Sequence, residues 1–284
     1  MKLASYCVKG VPAFGIVTDM GVITLSDRFA GRMLTLRDAL TEDEALDELL
    51  RLAEGAEPDQ SLDGLKYLPV ITNPGKILCV GINYRSHAAE HGHAVAEKPN
   101  IFTKFTDTLV AHEGVMVRPK ASKQLDFEGE LAVIIGKGGR AIEAQHARSH
   151  VAGYTCFCDG SVRDFIKVSL ITGKNFPATS PLGPWMVTAD EIPDPSKLNL
   201  TTRLNGAQMQ HSGTDMMMHG VPELIAYCSL FTELSPGDVI ATGTPEGIGA
   251  RRNPPVWMKA GDVLEIEISG IGTLKSRVVE EAEA

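Results

Sequence analysis

An apolar run over residues 131–135 follows three acids at alternate positions, Asp126, Glu128 and Glu130. A run of this length and composition predicts a β-strand with both faces covered. Because side chains alternate along a strand, the three acids are expected to point to one side. Neighbouring carboxylates entering a buried strand repel one another unless positive charge compensates, and their oxygens suit Mg²⁺, Mn²⁺ or Ca²⁺. The pattern favours a metal site over its alternative, the solvated face of an antiparallel sheet.

The first quarter of the chain has the pattern of a small α+β unit. Residues 2–26 read as three short strands separated by turns. Thr41 and Glu44 have capping-box spacing, so a helix is expected to begin at Thr41. We predict a small N-terminal α+β module over residues 1–70, without recognisable chemistry, and a larger domain over residues 71–284.

Periodicity also predicts the elements of the larger domain. Helices are expected over residues 140–150 and 222–233, and a strand is expected over Val151–Cys158. Asn205-Gly206 lies between two strand-like segments and indicates a two-residue hairpin turn. The whole chain is predicted to be an α+β protein rich in β-strands.

Composition and charge argue against several classes of function. The 284 residues are 43% hydrophobic and carry a formal net charge of −9, with a pI of about 5.4. A chain this acidic is not expected to bind nucleic acid or an anionic membrane. The five cysteines lack the spacing of a disulfide framework, and neither a signal peptide nor a membrane-spanning run is visible. We therefore expect a cytoplasmic protein whose partner is a small molecule.

A histidine and a glutamate three residues apart form a candidate general base. His87 and Glu90 lie in a segment with the pattern of a short helix, where this spacing allows a hydrogen bond. A carboxylate that orients a histidine raises its basicity and fixes its tautomer. Two alternatives stay open: an incidental pair at a solvated helix end, and a zinc site in which His87 joins His91 and His93.

Three further residues have candidate roles beyond the predicted strand Val151–Cys158. Asp159 directly follows that strand. Arg163 could bind a substrate carboxylate in bidentate fashion, although an Arg–Asp pair that fixes a turn explains it equally well. Lys174 is either a surface lysine or an electrostatic stabiliser of an enolate. The glycine-rich segment 242–249 has neither a P-loop lysine nor a dinucleotide fingerprint, so nucleotide binding is not expected.

Together and in this order, the motifs resemble those of the fumarylacetoacetate hydrolase family over residues 76–279. They are Gly81-Ile82-Asn83-Tyr84 with His87 and Glu90, Asp126-x-Glu128-x-Glu130, Asp159 with Arg163 and Asp164, Gly173-Lys174, the segment 181–185, Asn205-Gly206, and the segments 236–238 and 242–245. The resemblance implies a β-rich α+β fold with a rolled mixed sheet around the active site, and a homodimer. It also implies Mg²⁺, with Mn²⁺ or Ca²⁺ as alternatives, bound by Glu128, Glu130 and Asp159.

The resemblance assigns roles to individual residues as well. The implied catalytic residues are His87, Glu90 and Lys174, and the implied substrate contacts are Tyr84, Arg163 and Thr244. Many relatives carry glutamine shortly after the Arg-Asp pair, whereas this chain has Ile166 there. That difference suggests a less polar substrate tail.

The implied activity is metal-dependent hydrolysis of a carbon–carbon bond in a 2,4-dioxo acid of the acylpyruvate or fumarylpyruvate type, in the catabolism of aromatic or related compounds. His87, oriented by Glu90, would take a proton from water, and Lys174 would stabilise the departing enolate. We favour a hydrolase because the pair that activates water is intact. The alternative on the same metal site is an isomerase, tautomerase or decarboxylase of hydroxymuconate-type oxo acids, and a non-enzymatic zinc-binding protein is a distant one.

Overall fold

The computed structural model describes residues 1–29, 35–42, 45–90 and 97–282. The strands are β1 Lys2–Val8, β2 Val11–Thr18, β3 Gly21–Thr24, β4 Lys66–Tyr67, β5 Ile77–Gly81, β6 Asn100–Lys104, β7 Leu109–Val110, β8 Val115–Arg118, β9 Leu125–Asp126, β10 Gly129–Ile135, β11 Val151–Cys158, β12 Ser161–Val162, β13 Ser180–Thr188, β14 Asn199–Leu204, β15 Ala207–Gly213, β16 Val239–Ala241, β17 Val263–Ile268 and β18 Gly272–Glu280. The α-helices are α1 Leu36–Leu40, α2 Ala45–Ala53, α3 Arg85–Glu90, α4 Arg163–Ile166, α5 Leu170–Lys174 and α6 Val221–Phe231. None of these helices is both long and apolar enough to cross a bilayer. The predicted β-rich α+β class is confirmed.

Most of the strands belong to two mixed sheets. The larger sheet has the order β3-β2-β1-β13-β11-β10-β16-β5-β6, with β4 paired to β1 and β7 paired to β13. Its parallel pairs are β16 with β5 and β13 with β7. The smaller sheet has the order β15-β14-β17-β18-β8, in which β18 and β8 are parallel. The short strands β9 and β12 pair with each other.

Strand β10 crosses the protein core with both faces covered, as predicted. Leu131, Val133 and Ile135 pack in one apolar cluster with residues of the smaller sheet. Ala132 and Ile134 pack in a second cluster with residues of β1, β2 and α1. Since β10 also pairs with β11 and β16, the acids at its start are drawn into the interior.

The N-terminal strands continue the larger sheet. The three strands predicted over residues 2–26 are confirmed as β1, β2 and β3. Strand β1 pairs with β13, with Lys2 opposite Val187 and Leu3 opposite Met186. The N-terminal segment therefore packs on the sheet that carries the site, and the proposed boundary at residue 70 stays a prediction.

The helix predicted after Thr41 forms as α2, Ala45–Ala53, but Thr41 does not begin it, because Thr41 ends the preceding helix α1. Helix α1 begins earlier, after Thr35, whose side chain accepts the N–H of Asp38 in a capping box. Glu44, the second half of the predicted capping box, lies outside the described residues.

The predicted α-helix over residues 140–150 is also wrong, because only a 3₁₀ helix, Ala144–His150, forms there. The backbone N–H groups of Ala141 and Ile142 donate to the carbonyl and the hydroxyl of Ser229 on α6 rather than within a helix of their own. The hairpin prediction is confirmed, since Asn205 and Gly206 both have positive φ between β14 and β15. Strand β11 and helix α6 likewise lie where they were predicted.

Candidate active site

Three buried carboxylates meet where β10 begins and β11 ends. Glu128 and Glu130 flank Gly129, which lies opposite Cys158 in this antiparallel pair, so Asp159 is their neighbour. One carboxylate oxygen from each acid lies within 4.8 Å of the others. The register of a single strand pair therefore assembles the three predicted metal ligands.

This donor set fits a hard divalent cation. Carboxylate oxygens are the ligands that Mg²⁺, Mn²⁺ and Ca²⁺ prefer. Burial, followed by the charges of Asp159 and Glu128, raises the pKa of Glu130 well above its usual range. One backbone N–H, from Gly243, donates to Glu130 Oε2 at 2.9 Å, which does not balance a full charge. A bound dication would supply the missing positive charge.

Buried lysine and arginine side chains neutralise part of the negative charge of the three acids. Lys174 Nζ lies 2.7 Å from Glu128 Oε2 and 2.5 Å from Asp159 Oδ2, and Arg163 Nη2 lies 2.5 Å from Glu128 Oε1. Lys104, at the end of β6, donates to Asp159 Oδ1 at 2.8 Å. Burial alone would raise the pKa of Glu128, but Lys174 and Arg163 hold it well below its usual range. Sequence reasoning missed Lys104, because the local pattern of a strand does not show that its last residue is buried.

Lys174 and Arg163 each had two alternative roles predicted from the sequence. Lys174 is 4% exposed, so it is not a surface lysine. Burial would lower its pKa, but the charges of Asp159 and Glu128 raise it above its usual range, so it remains protonated. Arg163 does form an Arg–Asp pair, with Asp126 at 2.7 Å from its Nε. Its predicted contact with substrate stays a prediction.

Asp126 lies outside the group of three acids. Its Oδ1 accepts the N–H of Gly249 at 2.8 Å, and its Oδ2 accepts the N–H of Ala250 at 3.0 Å as well as Arg163 Nε. Both carboxylate oxygens of Asp126 therefore accept hydrogen bonds from groups of the protein itself. Asp126 fixes Arg163 and the loop before β17 instead of binding a metal.

Helix α3 carries the predicted histidine–glutamate pair. His87 Nδ1 lies 3.1 Å from Glu90 Oε2. Since a carboxylate accepts the Nδ1 proton, Nε2 is the basic nitrogen. Burial is the largest influence on His87 and lowers its pKa, while Glu128 and Glu90 raise it. His87 is therefore a neutral base at neutral pH. His91 and His93, which the zinc alternative requires, lie outside the described residues.

The turn before α3 is held in an unusual conformation. Ile82 has φ +55, in the left-handed region, where a β-branched residue costs about 1–3 kcal/mol. Asn83 stabilises this turn, because its Nδ2 donates to the carbonyls of His219 at 2.9 Å and Thr242 at 2.8 Å. Its Oδ1 accepts the N–H of His219 at 2.9 Å. The position of α3, and so of His87, is fixed by this amide.

The glycine-rich segment 242–249 has a use that the sequence did not reveal. With Ala250, its backbone N–H groups donate to acids of the site rather than to a phosphate. The donors and acceptors are Gly243 to Glu130 at 2.9 Å, Gly247 to Glu90 at 3.3 Å, and Gly249 and Ala250 to Asp126 at 2.8 and 3.0 Å. One loop therefore orients a predicted metal ligand, the partner of the general base and the anchor of Arg163.

A cavity of about 160 Å³ joins the base to the three-carboxylate site. The polar residues His87, Glu128, Glu130, Lys174 and Thr244 line it. Its other wall is apolar and is formed by Val80, Ile82, Phe102, Ile166 and Leu170.

Thr244 Oγ1 donates to Gly129 O at 2.9 Å and accepts a hydrogen bond from Gln210 Nε2 at 2.8 Å. Gln210, a buried residue of β15, was missed by sequence reasoning. Tyr84 is fully buried and is not among the residues that line the cavity, and its predicted contact with substrate stays a prediction.

The family assignment follows from a comparison over the same region. A protein-family model described as "Fumarylacetoacetate (FAA) hydrolase C-terminal" matches residues 76–279, which is more than half of the chain. The chain belongs to the fumarylacetoacetate hydrolase family. The resemblance inferred from the motifs is confirmed, and the protein is an enzyme of the fumarylacetoacetate hydrolase superfamily.

Individual members of the family are similar to this chain over most of its length. The chain is 39% identical over 264 residues to oxaloacetate tautomerase FAHD2A, mitochondrial, of Bos taurus, covering 91% of this chain and 84% of that one. It is 40% identical over 224 residues to oxaloacetate tautomerase YisK of Bacillus subtilis, covering 77% and 74%. The structure of maleylpyruvate hydrolase from Sphingobium sp. SYK-6, in complex with manganese(II) and pyruvate, is similar with a TM-score of 0.84 at 26% identity, covering 99% and 100%.

Ile166 contributes to the apolar wall of this cavity. It packs over Gly173, the residue before Lys174. A Cβ atom on Gly173 would lie 2.2 Å from Ile166 Cγ1 and 2.5 Å from Ile166 N. Glycine is required there because the backbone of α4 approaches α5 too closely for any side chain.

We expect Gly173→Ala to destabilise the protein by about 1–3 kcal/mol and to reduce turnover, because the overlap displaces backbone next to Lys174. Thermal unfolding and kcat would be measured together. Gly220→Ala is the matched control, since its added Cβ meets nothing closer than 3.8 Å. Equal stability and turnover in the two variants would contradict the packing account.

Proposed function

We propose that this enzyme is a metal-dependent keto–enol tautomerase acting on a short 2-oxo dicarboxylate of the oxaloacetate class. The observation that carries the proposal is the small cavity that is lined by the neutral base His87 and by Glu128 and Glu130, two of the three carboxylates. Its volume of about 160 Å³ is below the roughly 300–1,000 Å³ of pockets for drug-sized ligands. A substrate of few carbons suits it better than a 2,4-dioxo acid with a long acyl group.

The side chains of the cavity can carry out the proton transfer. His87 Nε2 takes a proton from C3 of the keto acid, and the same proton is delivered to the oxygen on C2, so that no carbon–carbon bond breaks and no water is consumed. Glu90 keeps His87 in the required tautomer. The Lys174 ammonium group stabilises the negative charge that develops on the enolate oxygen. Mg²⁺, Mn²⁺ or Ca²⁺ held by Glu128, Glu130 and Asp159 would act as a Lewis acid on the 2-oxo group.

The relatives support this choice of reaction. The bovine and Bacillus subtilis proteins that are 39% and 40% identical to this chain are both oxaloacetate tautomerases. Identity at this level extends over 91% and 77% of this chain. Tautomerisation, which was the alternative at the level of sequence, therefore becomes the leading proposal.

Hydrolysis of an acylpyruvate is the second candidate. The similarity to a maleylpyruvate hydrolase that binds manganese and pyruvate favours it. The same His87–Glu90 pair would then take its proton from a water molecule that attacks the distal carbonyl. The two reactions use one site and differ in whether a water molecule takes part.

Product analysis separates the two candidates. Oxaloacetate and acetylpyruvate would be supplied separately to the enzyme with Mn²⁺, with the enol followed by ultraviolet absorbance and pyruvate by lactate dehydrogenase. The proposal predicts faster equilibration of oxaloacetate than in buffer with Mn²⁺ alone, with no more pyruvate from oxaloacetate than that buffer forms by metal-catalysed decarboxylation, and no pyruvate from acetylpyruvate. Rapid cleavage of acetylpyruvate to pyruvate and acetate, with oxaloacetate equilibrating at the buffer rate, would reject the tautomerase in favour of the hydrolase.

The pH dependence follows from the state of His87. Because burial lowers its pKa and only the neutral imidazole is a base, kcat/KM should fall only as the pH drops through a value below about 6.5. Glu90 raises this pKa, so Glu90→Gln should shift the acid limb to still lower pH while reducing the maximum rate. Rates from pH 4.5 to 8 in the presence of Mn²⁺ test this. An acid limb at pH 7 or above would contradict a buried neutral base.

A further inference from the structure

A second cavity, of about 440 Å³, lies apart from the carboxylate site. It is enclosed by the 3₁₀ helices Ala144–His150 and Pro195–Lys197, by residues 214–217 and by the start of α6. None of the described residues lines both cavities. Its size is within the range of about 300–1,000 Å³ found for small-molecule sites.

The floor of this cavity contains an unused hydrogen-bond donor. Tyr154, on β11, is 2% exposed and lines the cavity, and its hydroxyl makes no hydrogen bond with any described residue. Burial raises the pKa of Tyr154 to about 12, so the hydroxyl keeps its proton. Tyrosine hydroxyls usually find a partner when buried, since leaving one unpaired is costly. An acceptor on a ligand would satisfy it.

A positively charged side chain also lines this cavity. Arg148 lines the cavity, and its guanidinium forms no ion pair within the part of the chain that the structure describes. Its charge is near enough to lower the pKa of Tyr154. Helix α6 begins at the cavity with Val221 and Pro222, and the N-terminus of a helix carries partial positive charge. The polar end of the cavity therefore suits an anion.

One acid, Asp194, lines this cavity and another, Glu223, lies in the first turn of α6, and both carboxylates have partners of their own. Asp194 accepts the N–H and hydroxyl of Ser196, at 3.1 and 2.6 Å, and pairs with Lys197 at 3.2 Å. Glu223 accepts the N–H of Gly220 at 2.7 Å, as part of the α6 cap. Both carboxylates are thereby partly neutralised by their own partners.

We propose that this cavity is a binding site for a small organic carboxylate with an apolar body. The carboxylate accepts the Tyr154 hydroxyl and pairs with Arg148. The apolar body packs on the remaining wall, formed by Pro193, Pro195, Met217, Val221 and Pro222. This site goes beyond the proposed tautomerase, because none of the residues used there takes part.

Binding of 3-phenylpropanoate, with 3-phenylpropanol as its uncharged counterpart, tests the site. Calorimetric titrations would use the full-length enzyme with Mn²⁺, and again after EDTA, so that binding at the metal is recognised. We expect saturable binding of the acid in both states. The alcohol should bind with an affinity at least about tenfold lower than that of the acid. Because no turnover is measured, the result is independent of the proposed reaction.

Two variants locate the binding. Tyr154→Phe and Arg148→Gln should each weaken binding of the acid by about tenfold. Neither change removes a hydrogen bond within the described residues, so the fold should be kept, which unfolding curves would verify. Arg277→Gln, an exposed arginine on β18, is the matched control and should bind normally. Lack of saturable binding, equal binding of the alcohol, loss of binding after EDTA, or unchanged binding in both variants would each overturn the proposal.

Discussion

Replacing His87 by alanine is expected to lower kcat for oxaloacetate tautomerisation by about two to four orders of magnitude. His87 is the buried neutral base of the small cavity, and Glu90 holds its Nδ1 at 3.1 Å. Mn²⁺ affinity should change little, because His87 is not one of the three carboxylate ligands. Steady-state kinetics and a Mn²⁺ titration of the same preparation would measure both quantities.

Controls separate chemistry from folding in this experiment. His146→Ala removes a solvent-exposed imidazole from the 3₁₀ helix after β10 and should leave kcat unchanged. Glu90→Gln should give an intermediate rate, since the amide can still contact the imidazole but does not stabilise its charge. Full turnover by a folded His87→Ala enzyme that binds Mn²⁺ would rule out the assigned base.

Glu130→Gln is expected to weaken Mn²⁺ binding by about a hundredfold or more and to abolish turnover at low metal concentration. Glutamine has nearly the same shape and can still accept the N–H of Gly243, but it lacks the charge that attracts a cation. Burial, followed by the charges of Asp159 and Glu128, raises the pKa of Glu130, and an amide avoids both effects, so stability without metal should be kept or increased. Calorimetry with Mn²⁺ and thermal unfolding without metal would test the two parts.

Glu233→Gln is the matched control, because Glu233 is exposed and lies just after α6. This variant should bind Mn²⁺ and turn over like the parent enzyme. EDTA treatment of the parent enzyme should reproduce the loss seen in Glu130→Gln, and added Mn²⁺ should restore activity. Undiminished Mn²⁺ affinity in Glu130→Gln would mean that the metal is bound elsewhere.

Local patterns in the sequence predicted the parts of the site that lie on single elements. The apolar run before Gly136 identified a strand covered on both faces, and the spacing of Glu128 and Glu130 placed two acids at its entrance. The three-residue spacing of His87 and Glu90 predicted their hydrogen bond. These inferences succeeded because strand alternation and helical spacing determine which neighbours meet.

Contacts between distant segments were beyond the reach of such patterns. Lys104 reaches Asp159 only because β6 and β11 belong to one sheet, and Gln210 reaches Thr244 only because the two sheets pack together. Tyr84 was assigned to the substrate by resemblance, and this contact stays a prediction for a side chain that is buried in the core. The predicted homodimer and the boundary at residue 70 stay predictions, since a single chain with a continuous sheet tests neither.

The most direct test of the account is the decay of enol-oxaloacetate followed by its ultraviolet absorbance. The parent enzyme with Mn²⁺ would be compared with the same enzyme after EDTA and with buffer containing Mn²⁺ alone. We expect decay well above the buffer rate with Mn²⁺, return to the buffer rate after EDTA, and no more pyruvate than the buffer containing Mn²⁺ alone produces. Decay at the buffer rate with Mn²⁺ present would contradict the claim that the base and the three-carboxylate site act together as a tautomerase.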